Sequence, residues 1–238
     1  MNTSDHVLSD KLHAVQARIE AACIASGRPA GSVQLLAVSK TFSADDVRQV
    51  AARGQRDFGE NYIQEGVDKI TALKGGAHVL VWHCIGPMQS NKTKLVAEHF
   101  DWAHTVDRLK IAQRLNDQRP AHLPPLNVCL QVNIDGGDTK SGIAPGEALA
   151  LATEVAKLPR LVLRGLMTIP DPAEGFDAQL AVHAKARALF DEAKAALDLP
   201  QFDTLSMGMT GDLEAAIYAG STMVRVGTAI FGGRHYPA

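Results

Sequence analysis

Three features of this chain have the residue types needed for carbonyl chemistry on a phosphorylated ligand. The first is Lys40, which follows the apolar run Leu35-Leu36-Ala37-Val38 and Ser39. A lysine in an apolar wall loses hydration and its pKa falls, so a neutral amine becomes available to condense with an aldehyde. The same residue facing water is an ordinary solvated or ion-paired charge, and position alone leaves both readings open. The second feature is a pair of short loops, Ser206-Met207-Gly208-Met209-Thr210-Gly211-Asp212 and Arg225-Val226-Gly227-Thr228-Ala229-Ile230-Phe231-Gly232-Gly233. Glycine lets backbone N–H groups approach a phosphate closely, and the Ser206 loop runs into a helix N-terminus, which favours anions. Each loop alone has ordinary turn composition; together with the lysine they point to a phosphorylated aldehyde or ketone. The third is Arg225, either a phosphate clamp, a rim salt bridge, or a donor to a ring nitrogen. An arginine keeps its proton, so the last role would leave a pyridine nitrogen unprotonated and weaken the ring as an electron sink.

Other chemistries lack their signals. His83 follows Trp82, and a lone histidine is more often a structural hydrogen-bonder than a base. The nine histidines show no HxH, HxxxH or HExxH spacing, so no metal site is expected. No Gly-x-Ser-x-Gly elbow is present, and Cys84 and Cys129 read as core residues. Three widely spaced cysteines without a CxxC pair argue against a disulfide framework and for a reducing cytoplasm. The net charge of −2, from 24 basic and 26 acidic residues, gives no reason to expect nucleic acid or an anionic membrane as partner. No apolar run reaches the roughly 20 residues of a membrane helix, and the first residues lack a signal-peptide layout.

The elements that must position these residues alternate strictly. Leu8, Leu12, Val15, Ile19 and Ala22 predict a first helix over 7–26, closed by Gly27. Strands are predicted over 34–39, 57–59, 78–85, 102–106, 126–134, 161–169, 204–206 and 223–226. Helices fall between them: one capped by Ser43 with Asp46 at N3, one carrying Ile63, Val67, Ile70 and Leu73, then 90–99, one capped by Asp107, 145–157 opened by Pro145, 176–198, and 212–219. Eight βα units in 238 residues point to a single (β/α)8 TIM-type barrel domain over 1–238, with the N-terminal helix covering the gap left after strand 8. A doubly wound sheet is the alternative, but it usually has fewer strands and often a GxGxxG turn, which is missing. In a barrel the active site lies at the C-terminal strand ends. Those ends carry Lys40, Asn61, His83, Asp107, Asn133, Met167, Ser206 and Arg225.

The segments AVSKT, FGENYIQE, WHCIGPMQSNK, HTVDRLK, KSGI, LRGLMTIP and SMGMTGDLEAAIYAGSTMVRVGTAIFG stand in the same order as in the pyridoxal phosphate homeostasis protein family. The resemblance spans about residues 7 to 235. It implies a fold type III barrel that binds pyridoxal 5′-phosphate (PLP), with Lys40 holding it as an internal aldimine. It implies that Ser206, Gly227 and Thr228 bind the phosphate together with loop amides, Gly208 among them. Arg225 would face the pyridine nitrogen, and Asn61, His83 and Met167 would line the cofactor. The family's role implies a cytoplasmic carrier or buffer of PLP in vitamin B6 and amino-acid metabolism. PLP-dependent apoenzymes are possible recipients, and a monomer is expected. The family shares the barrel of alanine racemases without their C-terminal β domain, which there supplies a tyrosine base. With one acid/base face missing, strong catalysis is not expected.

Two positions depart from the family pattern. Gly211, followed by Asp212, stands where an acidic residue is usual, and Gly137, beside Asp138, stands where Glu is frequent. Lys140 shares the second of these loops and is either solvated or a participant in passing PLP on. The alternative functions are an amino-acid racemase, which needs two opposed bases where only Lys40 can be named, and a Schiff-base sugar-phosphate aldolase, which needs a carboxylate or tyrosine beside the lysine.

Overall fold

A computed structural model of the protein describes residues 3–137 and 141–233. Among them, eight parallel strands close into one barrel in sequence order, β1 pairing with both β2 and β8. The strands are β1 Gln34–Val38, β2 Asp57–Glu60, β3 Val81–Cys84, β4 Trp102–Val106, β5 Leu126–Val132, β6 Leu161–Thr168, β7 Thr204–Ser206 and β8 Met223–Val226. The helices between them are α2 Ala44–Ala51, α3 Ile63–Leu73, α4 Thr93–His99, α5 Leu109–Gln118, α6 Ala148–Val155, α7 Phe176–Leu197 and α8 Leu213–Tyr218. α1, Thr3–Ala25, precedes β1 and packs on α2, α8 and the single turn α9, Thr228–Phe231. It thus covers the side of the barrel next to β8, where among the described residues only the short α9 follows the strand. Arg18 fastens it there, donating to both Glu214 carboxylate oxygens at 2.8 and 2.9 Å.

Side chains alternate across the strands, as the pleat requires. Leu35 and Ala37 of β1 join the large core between strands and helices, while Leu36 and Val38 pack inside the barrel with Ile85 and Met223. Trp102, Cys129 and Met167 form a second interior cluster. Burial pushes the Cys84 and Cys129 thiols up to about 12, so both are inert core residues, and all three cysteines are free and buried.

Local signals explain most boundaries. Ser43 and Asp46 form the expected reciprocal capping box of α2. Gly27 sits at φ +71°, closing α1 as its C′ residue. Several boundaries differ from expectation: α1 already begins at Thr3 and β5 ends at Val132, and four further differences have local causes. β3 begins at Val81 because its ladder partner β2 begins at Asp57, opposite Val81, leaving His78 to pair with Arg56. α4 begins at Thr93, because the chain first makes a turn in which the Lys92 amide donates to Gln89 O. Asp107 does not cap α5; the N-cap is Arg108, whose guanidinium occupies the Asp107 carboxylate. Pro145 opens a 3₁₀ turn, Pro145–Glu147, ahead of α6.

One close approach shapes the barrel mouth. A Cβ at Gly86 would lie 1.9 Å from Asn61 O and 2.6 Å from Asn61 C, both backbone atoms. The loops after β2 and β3 can therefore meet only through glycine. Gly86→Ala should force them apart and lower stability by roughly 3 kcal/mol or more, as overpacking against a rigid wall does. Urea denaturation would show it; an unchanged midpoint would mean that the two loops separate freely.

Candidate functional site

Lys40 stands two residues beyond β1, half-buried, with the inward parity of Leu36 and Val38. The backbone on both sides of it is pinned. The Ser39 N–H donates to Gly59 O at 3.0 Å and its hydroxyl to Glu60 Oε1 at 2.5 Å. Thr41 has φ +69°, a left-handed conformation rare for a β-branched residue, and its N–H donates to Glu65 Oε1 at 2.6 Å. Buried Lys69 joins these groups, its ammonium donating to Ser39 O, Glu60 Oε1 and Glu65 Oε1 at 2.7, 2.8 and 2.6 Å. Burial pushes the Glu60 carboxyl up, against the opposing pull of Lys69 and the Ser39 hydroxyl.

A second polar network crosses the barrel interior. Arg225 NH1 donates to Ser206 Oγ and Ser206 O at 2.9 and 2.8 Å, and NH2 donates to Thr168 O at 2.8 Å. Ser206 Oγ lies 3.1 Å from His104 Nδ1; His104 Nε2 lies 2.9 Å from His83 Nδ1; His83 Nε2 lies 3.1 Å from Asp57 Oδ1. The tautomers follow by elimination. A carboxylate only accepts, so His83 Nε2–H donates to Asp57; the remaining nitrogen of a neutral His83 accepts from His104 Nε2–H, and that of a neutral His104 accepts the Ser206 hydroxyl proton. Every link is satisfied with both imidazoles neutral. Burial lowers the pKa of His83 despite Asp57, and that of His104 further. The His83–Asp57 contact is therefore a hydrogen bond to an anion, not an ion pair. Burial also draws Arg225 down to about 10, which leaves it charged at neutral pH.

The loop after β7 is tied from two sides. Asp212 accepts the Met209 N–H at 2.7 Å and contacts His183 Nε2 of α7 at 2.9 Å, while Arg18 of α1 donates to Thr210 O at 3.0 Å. Although burial alone would raise the Asp212 carboxyl, the hydrogen bonds from His183 and Met209 bring it below its ordinary value. The amides of Thr210, Gly211, Thr228 and Ala229 donate to no other group among the described residues. The loop after β8 lies against the Lys40 strand, because a Cβ at Gly227 would sit 3.1 Å from Val38 O. Across the mouth is an opening of about 260 Å³, lined in part by Asn61, Thr105, Gln131 and Ile169. Among the described residues, buried polar atoms at the same end of the barrel, Asn133 Oδ1 and Thr168 Oγ1 as well as Thr41 Oγ1 and Glu60 Oε2, have no partner.

The alanine racemase N-terminal domain model matches residues 11–235. Proteins named pyridoxal phosphate homeostasis protein are similar throughout. The one from Pseudomonas aeruginosa is 55% identical over 231 residues, 97% of each chain. The one from Escherichia coli K12 is 54% identical over 230 residues, 96% of this chain and 97% of its own. This chain belongs to the pyridoxal phosphate homeostasis protein family. PipY of Synechococcus elongatus, solved with PLP bound, shares 34% identity with a TM-score of 0.82, over 94% of this chain and all of that one. Alanine racemase of Clostridium difficile, at 15% identity and a TM-score of 0.74, shares the fold over 98% of this chain and 58% of its own.

For this family member, the residues expected at the site separate into two levels. Lys40, Asn61, Gly227 and Thr228 are partly or fully exposed at the mouth. His83, Met167, Ser206 and Arg225 are buried in the barrel. The Ser206 hydroxyl, expected on the phosphate, bonds here to Arg225 and His104, and the His83 ring, expected beside the cofactor, bonds to His104 and Asp57. Gly208 has φ +95°, and a Cβ there would meet Ala216 Cβ at 2.5 Å, so its smallness lets the loop pack on α8. Asp212, next to the departure at Gly211, braces that loop. Gly137 O accepts from Asn133 Nδ2 at 3.0 Å, and Lys140 and Asp138 lie outside the described residues. Sequence reading missed Lys69, Glu60, Glu65 and His104. The first three share the stretch from FGE to DK with an (i, i+4) pair, Glu65 and Lys69, which signalled only a surface ion pair.

Among the described residues, no group of His, Cys, Asp and Glu could hold a metal, and no helix is long and apolar enough to cross a membrane.

Proposed function

We propose that this protein holds PLP at the C-terminal mouth of its barrel and serves the cell as a carrier or buffer of that cofactor. One observation carries the reading: the loop after β8 lies against the strand end that bears Lys40, bringing unpartnered amides and an amine to one rim. PLP, when bound, supplies an aldehyde for the amine and a phosphate for the amides. Lys40 is the attachment point. Thr210, Gly211, Thr228 and Ala229 offer backbone donors to the phosphate, beside the Ser206 hydroxyl and the Gly227 turn expected there. Arg225 stays protonated and holds a donor at the ring side of the site, and the orphaned oxygens of Asn133 and Thr168 are available as acceptors. The PLP-bound PipY structure and the names of the relatives agree with this assignment.

A holding role fits the mouth better than catalysis does. The lining of the 260 Å³ opening, to which Lys40 does not contribute, offers amides, hydroxyls and apolar groups, a surface suited to holding a ring. Release to PLP-dependent apoenzymes in a cytoplasmic setting completes the proposal.

The test is direct. Protein loaded with PLP should absorb in the visible, lose that band on borohydride treatment, and yield a pyridoxyl group on the Lys40 peptide. A protein that takes up no PLP would overturn the cofactor assignment. Amino-acid turnover faster than that by free PLP would overturn the non-catalytic role.

A further inference from the structure

The residues flanking Lys40 converge on one buried ammonium. Lys69 of α3 spends its three donors on Ser39 O, Glu60 Oε1 and Glu65 Oε1. Those acceptors are the points that hold the chain on either side of Lys40. Glu60 Oε1 also takes the Ser39 hydroxyl, and Glu65 Oε1 also takes the Thr41 amide. Thr41 needs such a hold: its left-handed backbone at φ +69° persists only where the surroundings impose it. The turn at Thr41 ends β1 abruptly and leaves Lys40 at the rim. An ordinary ion pair would not explain this arrangement, since a carboxylate pair on a helix surface needs no buried partner and no strained backbone. Nor is the cluster a stability device by default, because a buried ion pair is often no better than apolar packing.

We propose that Lys69, acting through Glu60 and Glu65, is a positioning residue for Lys40, setting the backbone on both sides of it so that its amine meets an aldehyde held at the mouth. Lys69 itself touches no ligand. The inference rests on PLP being the ligand and on Lys40 as its attachment point. In the step concerned, the amine adds to the aldehyde carbon and a C=N bond forms with loss of one water. Lys69 takes no proton in it; its three donors are already engaged.

The ligand pair that separates positioning from general integrity is PLP and pyridoxine 5′-phosphate, which has the same ring and phosphate but no aldehyde. Two variants serve: Lys69→Met, and the double change Lys69→Met with Glu60→Gln, which leaves no lone charge buried if the single variant folds poorly. Both ligands are titrated by fluorescence, adduct formation is timed by borohydride trapping with mapping of the Lys40 peptide, and exchange of the Thr41 amide is followed. A misplaced reacting group costs up to about 100-fold, so the double variant should form the Lys40 adduct about 10- to 100-fold more slowly. Pyridoxine 5′-phosphate should bind as it does to the parent, and the Thr41 amide should exchange faster. Adduct formation at the parent rate, or equal weakening of both ligands, would refute the positioning role. A parent protein that forms no Lys40 adduct fails at an earlier point, taking the cofactor reading and this one down together.

Discussion

A Lys40→Ala protein should fold like the parent and carry no borohydride-reducible pyridoxyl group. The residue stands beyond β1 at a half-buried position, so shortening it leaves no cavity in either interior cluster. The loss of stability should be about 1 kcal/mol or less, the range of substitutions outside the core. Binding should suffer far more. Covalent capture contributes an effective concentration that amide contacts to a phosphate do not replace, and apparent affinity for PLP should fall on the order of 100-fold or more. The visible band should vanish, while pyridoxine 5′-phosphate should bind the variant as it binds the parent. A reducible adduct that persists in equal amount after Lys40→Ala would move the attachment point to another lysine. Mass mapping would then identify it.

The barrel was legible because each βα unit announces itself with the same physics. Parallel strands buried on both faces read as continuous apolar runs, such as Leu35 to Val38, and the helices between them carry one apolar stripe. Lys40 stood out because a cation breaks that pattern at a strand end. Strand starts were less legible, since β3 is trimmed by where β2 begins and not by its own residues. The site was legible as a rim but not as a depth. Pleat parity says that His83 and Arg225 point inward; it cannot say how far below the mouth they lie. Closure and stagger of the barrel decide that, and they set His83 beside His104 and His104 beside Ser206, 102 residues apart in the chain. Ser206 was expected on a phosphate because its loop has the composition of an anion site. Its hydroxyl also takes a hydrogen bond from Arg225 across the barrel, which loop composition does not announce. Lys69 could not be found from sequence because burial gives it its role, and the apolar stripe of Ile63, Val67 and Ile70 does not announce a buried lysine beside it.

The buried histidine pair should make stability fall in mild acid. His83 and His104 are held neutral in the fold, with pKa values below their ordinary 6.5, the latter well below. The unfolded chain binds their protons freely near that value. Unfolding is then favoured as pH drops: the stabilisation is complete above about pH 6.5 and is lost as pH falls toward the folded values, each group approaching about 1.4 kcal/mol per pH unit. The groups facing the pair do not reverse this. Asp57 and Asp101 favour protonation of His83, yet burial prevails, and the Arg225 charge further opposes protonation of His104. Glu60 and Asp101, whose carboxyls are pushed up by burial, contribute slopes of opposite sign above the ordinary carboxylate range. A difference measurement removes them. His104→Leu leaves the Ser206 hydroxyl proton and His83 Nδ1 unpaired, while Arg225 still donates to Ser206 Oγ, so near neutral pH it should lose about 2 to 3 kcal/mol, the cost of buried polar groups left unpaired. It also removes one titrating group, so its stability should fall less steeply between pH 6.5 and 5, and the gap to the parent should narrow as acid is added. Urea denaturation of both proteins across that range reads the gap directly. A constant gap would show that His104 titrates alike in the folded and unfolded chains, and the neutral hydrogen-bond chain from Arg225 to Asp57 would have to be redrawn.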